Sequence, residues 1–539
     1  MSNHKKNHHA NHLEIQKLPL HYRFPFIKVK VVDDFEQIDF RLSGHFTVED
    51  LNGRCVFESL TGEARWRVVV EASAPAKFEY GVVVHEFYSP EKAKEQARHL
   101  REKGYEAQIR SFGYRWQLGE NRTIVNESYR VYLDGFPTIR EARKMQRRLV
   151  DFDRPNIFRY RAREARGVLE MFDVNFSKST KCGGPIKLTP RRRDSVISLL
   201  NIRARGDVME FPNLYGIEFS INDKGKLQCL AEMDIEAYVG GLLTAQYHKE
   251  LPDTYLRALA ITLRSWVAAN WGRVHKDEPY QFCSSEHCFL LSGLKGWPRR
   301  VVNIMRETKG LVLTCDNEIC DTPSHPVCGG HTEDLENVAG IETKPYLTSF
   351  FDTAFHQVPD GAPDVLNNEE ALETWIASRP NVYCKPGEDA KTGALGDFQR
   401  FFRWEVEYTR QELEEILSVK LGEEVGMLFD IVPLKRGKSG RLSEVEILGS
   451  RQNIKLVGDE AIRDAFAEGR LPSTCFVIRV ELDEQGIPTF FHFHGAGNGH
   501  GVGMCQFGAI SQSLAGTSTE KILEHYFGTD VKLEKLPMT

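Results

Sequence analysis

The sequence predicts an α+β protein, and three observations predict it. A strand–helix–strand pattern occurs twice in succession between residues 66 and 172. Five further helical stretches, at 253–270, 296–308, 368–378, 409–420 and 459–468, lie irregularly among strand-like segments, not in a regular βαβ succession. The final stretch alternates strands with glycine-rich turns. At 539 residues the chain is too long for one ordinary core, so roughly two to four domains are expected. Hydrophobic residues make up 41% and charged residues 27%, the balance of a globular protein. The formal net charge of -6 gives no global basic field for nucleic acid. No apolar run approaches the length of a membrane span.

In chain order, residues 1–20 (MSNHKKNHHANHLEIQKLPL) are polar and His-rich and have no apolar signal core, so a disordered tip is expected. Residues 21–65 read as a β-rich segment. Between 66 and 172, WRVVVEASA and YGVVVHEF are strand-like, with consecutive Val and aromatic residues. SPEKAKEQARHLREKG follows as a helix, with Ser89 as N-cap, Pro90 in the first turn and Gly104 as the stop. YEAQIRSF and YRVYLDGF are strands, and TIREARKMQRRLVDF is a second helix capped by Thr138. That helix carries Arg140, Arg143, Lys144, Arg147 and Arg148, a face that suits either solvent or an anionic polymer. The stretch 173–190 reads as a linker, and 191–539 as one large domain. Within it, Leu256, Leu259, Leu263, Trp266 and Val267 form the apolar stripe of the helix that starts at Pro252 and Asp253.

The densest chemistry is VHKDEPYQFCSSEHCF, where His275, Cys283, His287 and Cys288 fall within fourteen residues in the order H-x7-C-x3-H-C. Two imidazoles and two thiolates satisfy a tetrahedral Zn²⁺, and with every ligand from protein the ion is structural, not catalytic. The bland alternative is two core cysteines and two surface histidines. Cys315, Cys320, Cys328 and His331 form a second, looser grouping, in which Cys315 and Cys320 suit a redox pair or ordinary strand ends. The eleven cysteines are odd in number and scattered, unlike a disulfide scaffold. Cys55, Cys182, Cys229, Cys475 and Cys505 read as plain core thiols.

Several segments taken in order carry a resemblance. They are IEAYVGGLLTAQY, YLRALAITLRSWVAAN, CGGHTEDLENV (328–338), SGRLSEVEILG (439–449), LPSTCFVI (471–478) and GAGNGHGVGMCQFGAISQSLAGTSTEKILEHYFGTDVKL (495–533). Together they resemble the SpoIID/LytB family of stage II sporulation protein D and the amidase enhancers, over about 340 residues. YRVYLDGFPTIREARKMQRRL resembles the SPOR family, small domains that bind peptidoglycan strands stripped of their peptides.

The resemblance implies an α+β SpoIID-like domain after an N-terminal β-α-β region, a cell-envelope location, and peptidoglycan glycan strands as ligand, with a cell-wall amidase as further partner. It implies zinc at His275, Cys283, His287 and Cys288. It places Cys328 and His331 in the family's glycine turn, and implies substrate contacts for Arg264, His331, His500 and Gln506. Active members are lytic transglycosylases, in which one carboxylic acid protonates the leaving oxygen and then accepts a proton from the sugar's own hydroxyl. The alignment of segments puts Gln246 at that acid's position. An amide has no proton to give at neutral pH. Glu250, Glu286 or Glu333 would have to serve in an active enzyme; otherwise the chain binds glycan without cutting it. A carbohydrate cleft in which Gln246, the His500 turn and the 275–288 metal hairpin converge is therefore expected.

Overall fold

The computed structural model describes residues 26–536, apart from 51–52, 62–64, 119–121, 150–151, 153–154, 175–177, 193, 205–206, 213, 286, 292, 340–343 and 388–397. The N-terminal tip 1–20 and Glu286 lie outside the described residues. Two compact units are present. The first takes residues up to Ala245, Val267–Val302 and the C-terminal end; the second takes Gln246–Trp266 and Asn303–Glu534. Helices and strands are mixed throughout, an α+β protein.

The first unit contains two packed sheets. One runs in the order Phe282–Cys283, Ile27–Phe35, Leu227–Met233, Gly216–Ile221, Ile186–Pro190, His45–Glu49, Cys55–Thr61. The other runs Ser179–Cys182, Arg166–Asp173, Arg65–Ala74, Gln37–Ser43, Val196–Ala204, Asp207–Pro212. Strand period sets the buried faces: Ile27 and Val29 point inward and are fully buried, while the alternate Lys28 and Lys30 are half-buried. Phe40 of one sheet meets Phe219 of the other with ring centroids 5.1 Å apart. The short strand Phe282–Cys283 pairs in parallel with Ile27–Phe35, matching Val29 to Phe282 and Lys30 to Cys283. That pairing anchors the metal-ligand stretch to the sheet.

An insertion interrupts the second sheet. Strands Lys77–Phe87, Gln108–Leu118, Arg122–Phe136 and Asn156–Arg163 enclose helices Pro90–Glu102 and Ile139–Arg148 in βαββαβ order. The antiparallel sheet runs Gln108–Leu118, Arg122–Phe136, Lys77–Phe87, Asn156–Arg163, the split-βαβ arrangement. Ser89 caps the first helix by accepting from the Lys92 N–H. Thr138 and Glu141 close a reciprocal capping box on the second. Val82, Val84, Ala93, Ala97, Leu100, Val131 and Ala142 fill the space between sheet and helices.

Two expected boundaries shift. The strand Arg65–Ala74 (WRVVVEASA) belongs to the six-stranded sheet, where it pairs with Arg166–Asp173 and Gln37–Ser43, so the inserted module spans 77–163. The stretch 173–190 is no linker: it holds strands Ser179–Cys182 and Ile186–Pro190, one in each sheet. Its Gly183–Gly184–Pro185 run marks the passage between sheets, not the end of a domain.

Three three-stranded sheets are described in the second unit. One orders Trp404–Thr409, Pro488–Gly495, Phe476–Leu482; another orders Leu428–Arg436, Leu442–Gly449, Ile454–Val457; the third orders Glu318–Ile319, Leu311–Cys315, Lys532–Lys535. Helices Arg410–Leu421 and Asp459–Ala465 contribute Leu413, Leu417 and Ile462 to a core that also contains Phe466, Phe476, Phe491, Phe493 and Ile447. His492 and His494 lie on the opposite side of their strand from Phe491 and Phe493, and His492 pairs with Glu407 and Glu481. A two-residue parallel bridge matches Ser324 to Met504 and His325 to Cys505. This bridge positions the candidate site. Among the described residues no helix is long and apolar enough to cross a membrane.

Candidate functional site

The glycine loop from Gly495 to Cys505 is laced to its neighbours through its backbone. Asn498 and Val327 exchange N–H···O bonds, Gly497 N–H donates to the Phe401 carbonyl, and the Gly501 carbonyl accepts from the Glu333 N–H. Gly501 has φ +82°, and a Cβ there would lie 2.5 Å from Arg441 Cζ. Only glycine lets the loop pass over that guanidinium. Arg441 is fully buried and donates to the carbonyls of Cys328 (3.0 Å) and His331 (3.3 Å) and to Ser439 Oγ (3.0 Å). It ties the 328–333 turn to the loop.

Two amides meet at the edge of this assembly. Gln246 is the last residue of helix Ile235–Gln246, and Gln506 the first of helix Gln506–Leu514. Gln506 Nε2 donates to Gln246 Oε1 at 3.1 Å and lies 3.4 Å from Ser324 Oγ. Gln246 is half-buried. That bond uses Gln246 Oε1 and Gln506 Nε2, not Gln246 Nε2 or Gln506 Oε1. Among the described residues no carboxylate hydrogen-bonds Gln246. Glu250 is exposed on the turn that follows the helix.

Glu333 has the electrostatics of a general acid but not the access. Burial pushes its carboxyl up to about 7, against the lowering effects of Ser439 and Arg441. Its side chain is fully enclosed and accepts from Ser439 Oγ (2.7 Å), Asn337 Nδ2 (3.1 Å) and the Asp334 N–H (2.8 Å). Every partner is protein.

Three residues expected to touch substrate hydrogen-bond backbone groups in this structure. Arg264 is fully buried and donates to the carbonyls of Leu311 (3.1 Å) and Ala260 (3.4 Å). His331 is buried edge-on to Phe351, with Nδ1 2.6 Å from the Thr332 carbonyl. Burial lowers its pKa to about 4. His500 Nδ1 accepts from the Val502 N–H at 3.1 Å, which puts the ring proton on Nε2, and the side chain also bonds the Ser324 backbone. Burial first, then the charges of His325 and nearby arginines, lowers His500 to about 3, so it is neutral at physiological pH. Of the residues expected in a groove, Gln246 and Gln506 are the pair that comes together.

In the first unit, His275, Cys283, His287 and Cys288 converge, with one ligand atom of each within 4.8 Å of every other. Cys288 Sγ lies 3.3 Å from His275 Nε2 and 3.5 Å from His287 Nδ1, and Cys283 Sγ lies 4.0 Å from His287 Nδ1. Tetrahedral zinc, with bonds of about 2.3 Å to sulfur and about 2.0 Å to nitrogen, separates neighbouring S and N ligands by roughly 3.5 Å. The donor set fits that ion. A hydrogen bond from Cys288 holds Cys283 well down in the thiolate range, helped by both imidazoles, while the Cys288 thiol is pushed up.

A second converging group was not visible in the sequence. Cys328, Asp352, Cys384 and Cys505 also bring one ligand atom each within 4.8 Å of all the others, and all four are buried. It joins Cys328 to partners other than Cys315, Cys320 and His331. Cys505, which read as an ordinary core thiol, belongs to it. The four come from separate segments, so no local spacing signals them.

Comparison with known proteins adds family context. Residues 223–315 match the family model described as Stage II sporulation protein. Residues 333–503 match a model described as a domain of unknown function (DUF8618). A protein of Brachyspira hyodysenteriae (strain ATCC 49526 / WA1), described as uncharacterized, is 23% identical over 304 residues, covering 56% of this chain and 67% of that protein. The sporulation-protein match contains Gln246, Arg264 and the four ligands of the His275–Cys288 stretch. It associates this part of the chain with sporulation or cell-wall function.

Proposed function

We propose that the protein binds the glycan strands of peptidoglycan at the Gln246–Gln506 edge without cleaving them, as a non-catalytic glycan binder or amidase enhancer of the SpoIID/LytB type. The observation that carries this reading is the amide pair itself. Transglycosylase chemistry needs a group that donates a proton to the leaving oxygen and takes one back. Gln246 can do neither, and it hydrogen-bonds another amide. Glu333 is sealed inside protein, and Glu250 is exposed on the turn that follows the helix. The amides remain suited to sugars: between them they offer one donor, Gln246 Nε2, and one acceptor, Gln506 Oε1, to hydroxyl and N-acetyl groups.

Zinc at His275, Cys283, His287 and Cys288 would hold the 275–288 loop by four protein ligands, with no open position for water. The βαββαβ module, SPOR-like in sequence, would add a second contact with denuded strands and raise avidity. A cell-envelope location and a cell-wall amidase partner belong to the same reading.

The test incubates full-length protein and Gln246→Glu with purified peptide-free glycan, followed by co-sedimentation and mass analysis of the soluble products. Wild type should sediment with glycan and release no anhydro-muramic products. Gln246→Glu should bind and release some, since it restores an acid to an otherwise complete site. Anhydro products from wild type would overturn the non-catalytic assignment. Failure of both proteins to sediment with glycan would overturn the wall reading.

A further inference from the structure

We propose that Cys328, Cys384, Cys505 and Asp352 form a second metal centre, a closed S₃O site for a thiophilic divalent cation such as zinc. The site is independent of the glycan reading.

The four ligand atoms approach one another as an ion would require. Cys328 Sγ is 3.4 Å from Cys384 Sγ and 3.3 Å from Asp352 Oδ2. Tetrahedral coordination by sulfur at about 2.3 Å and oxygen at about 2.0 Å puts S···S neighbours roughly 3.8 Å and S···O neighbours roughly 3.5 Å apart. A modest adjustment separates the observed packing from that geometry. Three soft sulfurs with one carboxylate favour zinc over magnesium or calcium, which take oxygen ligands.

The surroundings are those of ligands, not of idle thiols. Asp352 is fully buried, and its Oδ1 is held by His525 Nε2 and the Tyr526 hydroxyl, each at 3.0 Å. This leaves Oδ2 directed at the sulfurs, the supported-carboxylate arrangement common at metal sites. Backbone N–H groups point at two of the sulfurs: Cys328 N–H (3.2 Å) and Gly508 N–H (3.4 Å) at Cys505 Sγ, and Gly330 N–H (3.3 Å) at Cys328 Sγ. Such donors are nearly wasted on a neutral thiol and stabilise a thiolate. Cys505 also caps the N-terminus of helix Gln506–Leu514, where the helix dipole favours negative charge.

A buried imidazole lies against the same cluster. His325 is 1% exposed, and its Nδ1 is 3.1 Å from the Val502 carbonyl. Its neighbour across the parallel bridge is Cys505, with which its side chain hydrogen-bonds. A Cys328–Cys384 disulfide, the competing use of these thiols, would leave the two N–H donors at Cys505 Sγ facing a neutral thiol.

Bound metal would fasten four chain segments, the 328–331 turn, Asp352, Cys384 and the end of the glycine loop, directly behind Gln506. The test uses full-length protein purified without a His-tag, with metal content per chain measured by mass spectrometry. Wild type should carry two equivalents of zinc. Cys384→Ser and the Cys283→Ser/Cys288→Ser double variant should each carry one. A Cys384→Ser protein with the same metal content as wild type would overturn the site, as would a Cys328–Cys384 disulfide found by alkylation mapping of wild type. Because a serine variant can misfold, cobalt is loaded into the Cys283→Ser/Cys288→Ser protein as a second measurement. Thiolate-to-cobalt charge-transfer absorption there supports the centre, and its absence in folded protein refutes it.

Discussion

Glu333→Gln should change how stability depends on pH while leaving the fold in place. Glu333 is fully buried, and its carboxyl stands at about 7 against an ordinary 4.5. Between these values the folded chain keeps a proton that the unfolded chain has lost. Stability from this group is therefore complete below pH 4.5 and is lost as pH rises through 7. At 1.36 kcal/mol per pH unit the loss is about 3 kcal/mol. His331 and His500, lowered to about 4 and about 3 from 6.5, act in the opposite sense, adding stability as pH rises to 6.5. Both variants share those histidines, so the difference between them isolates Glu333. The glutamine carries its own cost. Its NH₂ must face one of three donors, Ser439, Asn337 or the Asp334 N–H, which costs about 1–3 kcal/mol. Wild type should be the more stable protein at pH 5, and its advantage should shrink by about 2.5 kcal/mol by pH 8. Urea unfolding followed by tryptophan fluorescence at several pH values measures the difference. A wild-type advantage that stays constant from pH 5 to pH 8 would mean that Glu333 is ionised throughout, and would refute the argument.

Gly501→Ala should lower stability by about 2–4 kcal/mol, combining a left-handed backbone with a forced contact against Arg441; thermal unfolding reads this directly, and a neutral effect would mean that the loop shifts freely. A chelator should lower the melting temperature of wild type by more than that of Cys283→Ser/Cys288→Ser, which keeps only the Cys328–Cys384–Cys505–Asp352 group. Equal sensitivity of both proteins would mean that the chelator acts elsewhere.

Features written into short stretches of sequence were legible. Of the stripe Leu256, Leu259, Leu263, Trp266 and Val267, all are buried in helix Asp253–Asn270 except Trp266, which is half-buried. Ser89 and Thr138 satisfy N–H groups three residues away, so capping needs no tertiary knowledge. The His275–Cys288 ligands fall within one loop, so their convergence was foreseeable. Long-range partners were not. WRVVVEASA looks like the opening strand of the βαββαβ module, yet it pairs with Arg166–Asp173 and Gln37–Ser43. The strands inside 173–190 are four and five residues long, too short for an alternation signal to outweigh their turn residues. The Cys328 centre draws on positions up to 177 residues apart, and no spacing rule reaches that far. For Arg264, His331 and His500 the resemblance implied ligand contact. Each also hydrogen-bonds backbone groups, a demand that sequence alone cannot separate from binding.

The module at 77–163 leaves and re-enters its host at adjoining positions, since Ala74 and Arg166 are cross-strand neighbours. Cutting it out and closing the gap with a tight turn would convert the two flanking strands into an ordinary hairpin, with the register of both host sheets untouched. Such a graft point is neutral to topology, so lineages can gain, discard or exchange the appendage without redesigning what carries it. What would be forfeited is local: the Trp116 indole loses the Ala268 carbonyl, and Arg161 no longer neutralises Asp223 and Glu278. A carrier that has shed the appendage should therefore be recognisable by compensating changes at those few contact positions.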